Sequence, residues 1–428
     1  MSQEFDSDPL DPSTQGSFVP RGLLLLGALA AIVGGMSILW YATSQPKLLV
    51  EANNRSQSGA TNDNNSLASM LSPEDSNEAI AWLQEKHGIN DPSDVEVILA
   101  AGGIAVAAEK YEKASRYFDQ VKTEVPRFGM TARLEQGLAL LKLNFATPAE
   151  QNLRKFLDAA RASENPDPSQ VLDGFKWLTY LLSVQIRQEE RKLFLQEQHD
   201  ISLADPLDSK QLYFPNLLIL NSPAGRTRLA KLIENEPTNL SLLVAAARYQ
   251  TLAGEFDEAI ERLEKLRRTR LEDLTIAAAL AEAFVESDRL EEAGRLLDSI
   301  PPYHAIEPWL LTRMRGEIAL HREKWNDALK YFGTVLGEDP ANAPAQMGMA
   351  MAYEKLGDKE NHQESLRRSS VLAKIRVNLG SVQSDAEAAC LDLATQCRAI
   401  DMEAAAKVFE KHAARIKSQT KIAPTPAQ

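Results

Sequence analysis

The side chains capable of chemistry are scattered along this chain. Its six histidines stand at 87, 199, 304, 321, 362 and 412, none with a second histidine at ligand spacing, so no imidazole pair is placed to hold a metal. His199-Asp200 is the one adjacent histidine–acid pair, and in a loop it reads as a solvated pair, not as a base with its orienting acid. Cys390 and Cys397 are the only cysteines. On a helix they would share a face yet lie about 10 Å apart along the axis, whereas a disulfide needs Cα atoms within about 7 Å. No His or third Cys completes a site beside them, so both read as small buried residues. The sequence contains no glycine-rich phosphate loop, no H-E-x-x-H, no paired C-x-x-C and no G-x-S-x-G. Most carboxylates have Lys or Arg three or four residues away, the pattern of a solvated helix face. Neither catalysis nor a cofactor nor a metal is expected.

The elements that carry these residues are legible from composition and periodicity. The 428 residues are 44% apolar, 25% charged and 6% aromatic, with a formal charge of −13. That balance excludes a disulfide-stapled miniprotein, a wholly disordered chain and a basic nucleic-acid binder, so no nucleic-acid partner is expected. A mean hydropathy of −0.29 conceals one intensely apolar segment. Residues 22–42 carry no charge and would span about 31 Å as a helix, which matches a bilayer core. Arg21 and Lys47 bracket the segment, and Trp40 and Tyr41 sit where aromatic rings favour the headgroup layer. The run is too long for a cleaved signal peptide and no A-x-A site follows it. A single transmembrane helix over 21–43 is therefore expected, behind an acidic tail over 1–20. Gly27, Ala31 and Gly35 recur at every fourth residue, the spacing that lets two membrane helices pack as a homodimer. Flanking charges slightly favour the large domain inside, since no Lys or Arg precedes Arg21 while Lys47 and Arg55 follow. Long C-terminal domains translocate largely regardless of charge, so the expectation is an extracytoplasmic bulk, with the cytoplasmic side left open. The polar stretch 44–72 reads as a flexible linker. Folded structure should begin at Ser72-Pro73-Glu74-Asp75, where a cap, an N1 proline and two acids coincide.

Beyond it, six segments superimpose: 95–122, 130–157, 240–267, 274–301, 309–336 and 343–370. The eighth position is always small: Gly102, Gly137, Ala247, Ala281, Gly316 and Ala350. The twentieth is Ala114, Ala149, Ala259, Ala293 and Ala328, failing only at His362. The twenty-fourth is Phe118, Leu153, Leu263, Leu297, Phe332 and Leu366. Such spacing predicts two antiparallel helices per unit, brought close by the small residues and gripped by the large one. The pattern resembles the tetratricopeptide repeat family, over about half of the chain, although no unit has Trp at its fourth position.

The resemblance implies an all-α, helix-turn-helix solenoid behind the membrane helix. Its units fall over 73–165 and 240–376, with diverged helices and an insertion around 200–221 in the region 166–239. Capping helices follow over 377–416 and a tail over 417–428. The insertion, containing Leu212-Tyr213-Phe214-Pro215, reads as a loop packed on the solenoid, with a binding loop as the alternative, because proline interrupts the expected first helix. The resemblance further implies that positions two, five, nine, twelve and thirteen of each first helix line a groove for other proteins. In the N-terminal units these positions give an apolar strip that includes Leu99, Val106, Leu134, Leu138 and Leu141. In the later units they give Arg248, Glu282, Arg313, Glu317, His321, Met347 and Met351. Either a ligand docks on the first strip and its acids meet Arg248 and Arg313, or the strip is covered by the helix around 74–86 and the arginines pair with Glu282 and Glu317. The layout is similar to that of bacterial inner-membrane proteins bearing such repeats, which implies a tethered scaffold or adaptor. The alternatives are a self-assembling membrane protein and the regulatory subunit of an enzyme such as a glycosyltransferase.

Overall fold

The computed structural model describes residues 71–125, 128–201, 206–215, 223–301, 307–381 and 387–422. The expected transmembrane helix, the acidic tail, nearly all of the linker and the stripe Gly27, Ala31 and Gly35 lie outside the described residues. Among the described residues every regular element is a helix, and none is long and apolar enough to cross a membrane.

Helix α1 (Pro73–His87) opens with Ser72 capping the Asp75 N–H and Pro73 in the first turn. It is followed by α2 (Asp94–Ala107), α3 (Tyr111–Gln120), α4 (Phe128–Lys142), α5 (Ala146–Ala162), α6 (Pro168–Val184), α7 (Gln188–Ile201), α8 (Pro206–Tyr213) and α9 (Pro223–Asn235). The C-terminal half holds α10 (Leu240–Leu252), α11 (Phe256–Thr269), α12 (Leu274–Glu286), α13 (Leu290–Asp298), α14 (Trp309–His321) and α15 (Trp325–Glu338). It ends in α16 (Ala343–Leu356), α17 (Lys359–Ser381), α18 (Glu387–Arg398) and α19 (Glu403–Ile422).

In each of the six aligned segments the second helix starts at the seventeenth position: Tyr111, Ala146, Phe256, Leu290, Trp325 and Lys359. Two residues earlier the backbone turns left-handed, at Glu109, Asn144, Gly254, Asp288, Glu323 and Gly357. The following N–H then reaches back to the carbonyl of position eleven, as from Lys110 to Ala105 at 2.8 Å and from Glu255 to Gln250 at 2.9 Å. This is a Schellman turn, which ends one helix and re-aims the chain for the next.

The same turn marks units that the small-residue pattern conceals. Ile186 (φ 52°) stands between α6 and α7, with Arg187 N–H bonded to Leu182 O at 2.9 Å. Asp401 (φ 61°) stands between α18 and α19, with Met402 N–H bonded to Cys397 O at 2.9 Å. Counting back, these units begin at 172 and 387. The stretch expected to hold diverged helices and the pair expected to cap the solenoid are therefore hairpins of the common kind. Cys390 and Cys397 take their fourth and eleventh positions, buried and unpaired.

Between 172 and 240 lies a broken unit starting at 206, so the 34-residue spacing never lapses there. Its second helix, α9, buries Leu229 and Leu232 at the twenty-fourth and twenty-seventh positions. Its first, α8, stops after eight residues, because Pro215 disfavours helical backbone at the residue before it.

The left-handed position allows a direct test. A side chain there costs roughly 1–2 kcal/mol, of which glycine's extra chain entropy takes back about half. Glu323 is exposed and left-handed. Glu323→Gly is expected to raise stability by about 0.5–1 kcal/mol, and Gly254→Ala, with open space around it, to lower it by a similar amount in denaturant melts.

Packing between paired helices is a matching of sizes. At Gly102 an added β-carbon would stand 2.4 Å from the Phe118 ring, and at Gly316 it would stand 2.6 Å from Phe332. The three aligned units with alanine at the eighth position have leucine at the twenty-fourth; Ala247, Ala281, Leu263 and Leu297 share one buried cluster, whereas Leu366 in the unit of Ala350 is exposed. His362, the exception at position twenty, places Nδ1 2.9 Å from the Ala350 carbonyl of its own unit's eighth position.

Candidate protein-binding groove

Positions five and nine of α10, α12, α14 and α16 form two parallel rows: Val244, Ala278, Arg313 and Met347, beside Arg248, Glu282, Glu317 and Met351. One end of these rows is shut. Glu282 is buried and accepts from Arg248 Nε at 2.9 Å and from Arg313 Nη2 at 3.3 Å. Burial pushes its carboxyl upward, but the two guanidiniums outweigh that and hold it below the ordinary range. Arg248 also donates to the Ile186 carbonyl at 3.2 Å, so the strained turn of the unit at 172 sits against the row. Ile186 is β-branched and buried in a left-handed conformation, backbone that persists only where surrounding contacts enforce it.

Helix α7 extends this closure. Trp309 N–H donates to Glu189 Oε1 at 2.6 Å and Leu310 N–H also reaches the carboxyl, giving α14 a cap from 120 residues away. Lys192 lies 4.9 Å from the Trp309 ring centroid and donates to the Glu338 carbonyl at the end of α15. Burial raises the Glu189 carboxyl to about 7, against the pull of those two N–H groups and Arg248, with Glu338 adding to the rise. A carboxyl raised on folding binds more protons folded than unfolded, so its stabilising share is complete below about pH 4.5 and is lost as pH climbs through 7. Glu189→Gln keeps an acceptor without the charge. Its stability relative to wild type is expected to rise between pH 5 and 8, by roughly 2 kcal/mol at pH 8 in paired denaturant melts.

The rows open at the other end. Met347 and Met351, one turn apart on α16, are 42% and 49% exposed. Burial raises the Glu317 carboxyl, opposed by Arg313 and reinforced by Glu286. His321 is exposed, with Nε2 3.3 Å from Glu291.

The N-terminal strip lies inward. Leu99 is buried in a cluster with Ala79 and Leu83 of α1, and Val106 packs on the same cluster. Leu134, Leu138 and Leu141 are buried as well. The carbonyl of Leu141 and the side chain of Asn144 accept from Arg228 of α9, and Asn235 donates to the Leu143 carbonyl at 2.7 Å. Among the described residues no group of three or more His, Cys, Asp and Glu is arranged to hold a metal ion. Ile186, Glu189 and Lys192 escape sequence reasoning because their partners lie 62 to 146 residues away. The signal within reach was the 34-residue step linking 172, 206 and 240.

Residues 251–306 match the family model described as tetratricopeptide repeat. None of the curated proteins matches the chain in sequence. Among solved structures the chain is similar to a tetratricopeptide repeat protein from Parabacteroides merdae, with 12% identity over 60% of this chain and 98% of that one, at a TM-score of 0.30. It is similar to human IFIT1 as a dimer with m7Gppp-AAAA, with 12% identity over 84% and 96% at 0.34. It is also similar to a Rap protein complexed with competence and sporulation factor, with 12% identity over 77% and 99% at 0.34. These superpositions are loose, and what those proteins bind is not carried over to this chain.

Proposed function

We propose that this chain, a tetratricopeptide-repeat protein, is a protein-binding scaffold held at a membrane by residues 22–42, with no catalysis of its own and its bulk outside the cytoplasm. The observation that supports it most is the pair Met347 and Met351, two large apolar side chains left exposed where the groove rows open. Methionine is flexible and polarisable, suited to a surface that must accept another protein's side chains. The other end of the rows is already filled by the turn at Ile186 and by α7, so a partner segment enters from α16 and ends near Arg313 and Glu317. The tether rests on the uncharged run 22–42 with its flanking Arg21, Trp40, Tyr41 and Lys47. Gly27, Ala31 and Gly35 would give that helix a face for a second copy.

The double variant Met347→Lys, Met351→Lys changes two exposed positions and leaves the core untouched. Quantitative pull-downs from detergent-solubilised native membranes are expected to lose specific partner proteins in the variant while its melting temperature stays within a few degrees. Identical partner sets for variant and wild type would refute the groove reading.

A further inference from the structure

A first helix of the common kind runs twelve residues or more and lies against its own second helix. Helix α8 does neither: it stops at Tyr213 and packs instead on α7 and on α19, nearly two hundred residues ahead in the chain. Its anchors are specific. Phe214 is fully buried, with its ring stacked on Phe409 at 6.2 Å between centroids and 15° between planes. Ser209 Oγ lies 3.0 Å from His412 Nε2 in a buried pair. Phe214 joins Leu372, Ile375, Leu393 and Cys397 in one cluster contributed by α17, α18 and α19. On the α7 side Arg191 donates to Gln211 and His199 makes an edge contact with Tyr213. Eight residues are too few to hold a helix in water alone, so α8 owes its form to the surface on which it sits.

A surface that orders a short helix through one aromatic anchor and one hydroxyl behaves as a peptide-recognition site, occupied here in cis. We propose that the face of α17, α18 and α19 beneath α8 is a docking site for a short helical segment of a partner protein with the pattern Ser-x-x-Leu-x-Phe, and that α8 holds it until such a segment competes. The site stands apart from the Met347 and Met351 rows and does not depend on them. Because the resident segment is joined to its site, it acts at an effective concentration on the order of millimolar. A partner therefore binds weakly to the wild-type chain and strongly once α8 is disabled.

The chain carries its own reporters. Cys390 and Cys397, the only two thiols, are buried on α18, and burial holds the Cys397 thiol up at about 12. Burial also raises the Cys390 thiol, against the pull of Lys210. In full-length Phe214→Ala, maleimide labelling of both thiols is expected to quicken by about tenfold or more, with the helical circular dichroism unchanged. A synthetic peptide of residues 206–215 should restore protection, and the same peptide with alanine for its phenylalanine should not. Equal protection in the variant and wild type, or failure of the peptide to slow labelling, would overturn the proposal. Hydrogen exchange on the wild-type chain tests it without any mutation. Amides of α8 should exchange through a local opening faster than those of α18 and α19, and exchange of all three in one cooperative step would overturn it.

Discussion

Gly316→Ala is expected to lower stability by about 3 kcal/mol, at the upper end for a single added carbon in a core. The new β-carbon would stand 2.6 Å from Cε1 of Phe332, a distance that real β-carbons do not adopt. The ring cannot retreat. It is fully buried, and on its other side Gly348 would place a β-carbon 2.4 Å away, so both neighbouring helices already touch it. The cost is one of shape and can be partly relieved. Phe332→Leu alone should cost roughly 1–2 kcal/mol for the space it leaves. Combined with Gly316→Ala it recreates the alanine–leucine pairing of Ala247 with Leu263 and of Ala281 with Leu297. The double variant is expected to be more stable than Gly316→Ala alone, with a coupling of about 1–3 kcal/mol in a double-mutant cycle from denaturant melts. Strict additivity would show that positions eight and twenty-four do not set each other's size.

Glu282→Ala is expected to cost still more, about 3–5 kcal/mol, because it leaves two buried guanidiniums without their shared carboxylate. Arg248 and Arg313 have side chains only 15% and 12% exposed, and Glu282 bridges them across three successive units. Arg248 would keep its bond to the Ile186 carbonyl, while among the described residues Arg313 has no other carboxylate within bonding distance. Removing all three charges together, as Arg248→Met, Glu282→Leu and Arg313→Met, should recover most of the loss, since a buried ion cluster adds little over packed apolar side chains. A cost below about 1 kcal/mol for Glu282→Ala would mean that water reaches the cluster and that this end of the rows is not shut.

The repeats were legible because the constraint on them is local and steric. Two helices that pack closely within a unit need a small residue at eight and a large one at twenty-four, and Gly102 with Phe118 satisfies this inside one short stretch of chain. The left-handed residue that ends each first helix leaves a weaker trace. Glycine holds it at 254 and 357, but Ile186 and Asp401 hold it elsewhere, and no sequence rule expects isoleucine there. The unit at 172 was further disguised by buried Thr179 and Arg191 in place of the small residues at eight and twenty. At 387, Ala394 and Ala406 kept the pattern, but Glu410 stood at twenty-four, paired with Arg398 at 2.7 Å and not filling a core.

The groove residues divide along the same line. That Arg248 and Glu282 could neutralise each other was visible from their charges, since position nine of successive units places them side by side. That α7 covers this end of the rows was not, because the hydrogen bond from Trp309 to Glu189 joins residues 120 apart, and nothing in either local stretch announces it. Likewise Pro215 marked a break in the sequence. The destination of the displaced helix depends on Phe409 and His412, which a local reading of α8 never meets.

Site-specific photocrosslinking in native membranes tests the central claim most directly. With p-benzoylphenylalanine at Met347 or Met351 of the full chain, ultraviolet light is expected to produce discrete adducts with partner protein, absent when the probe replaces the exposed Glu261 on α11. If the Met347 and Met351 probes yield no adduct, or yield the same adducts as Glu261, the open end of the groove rows is not where this protein meets its partners.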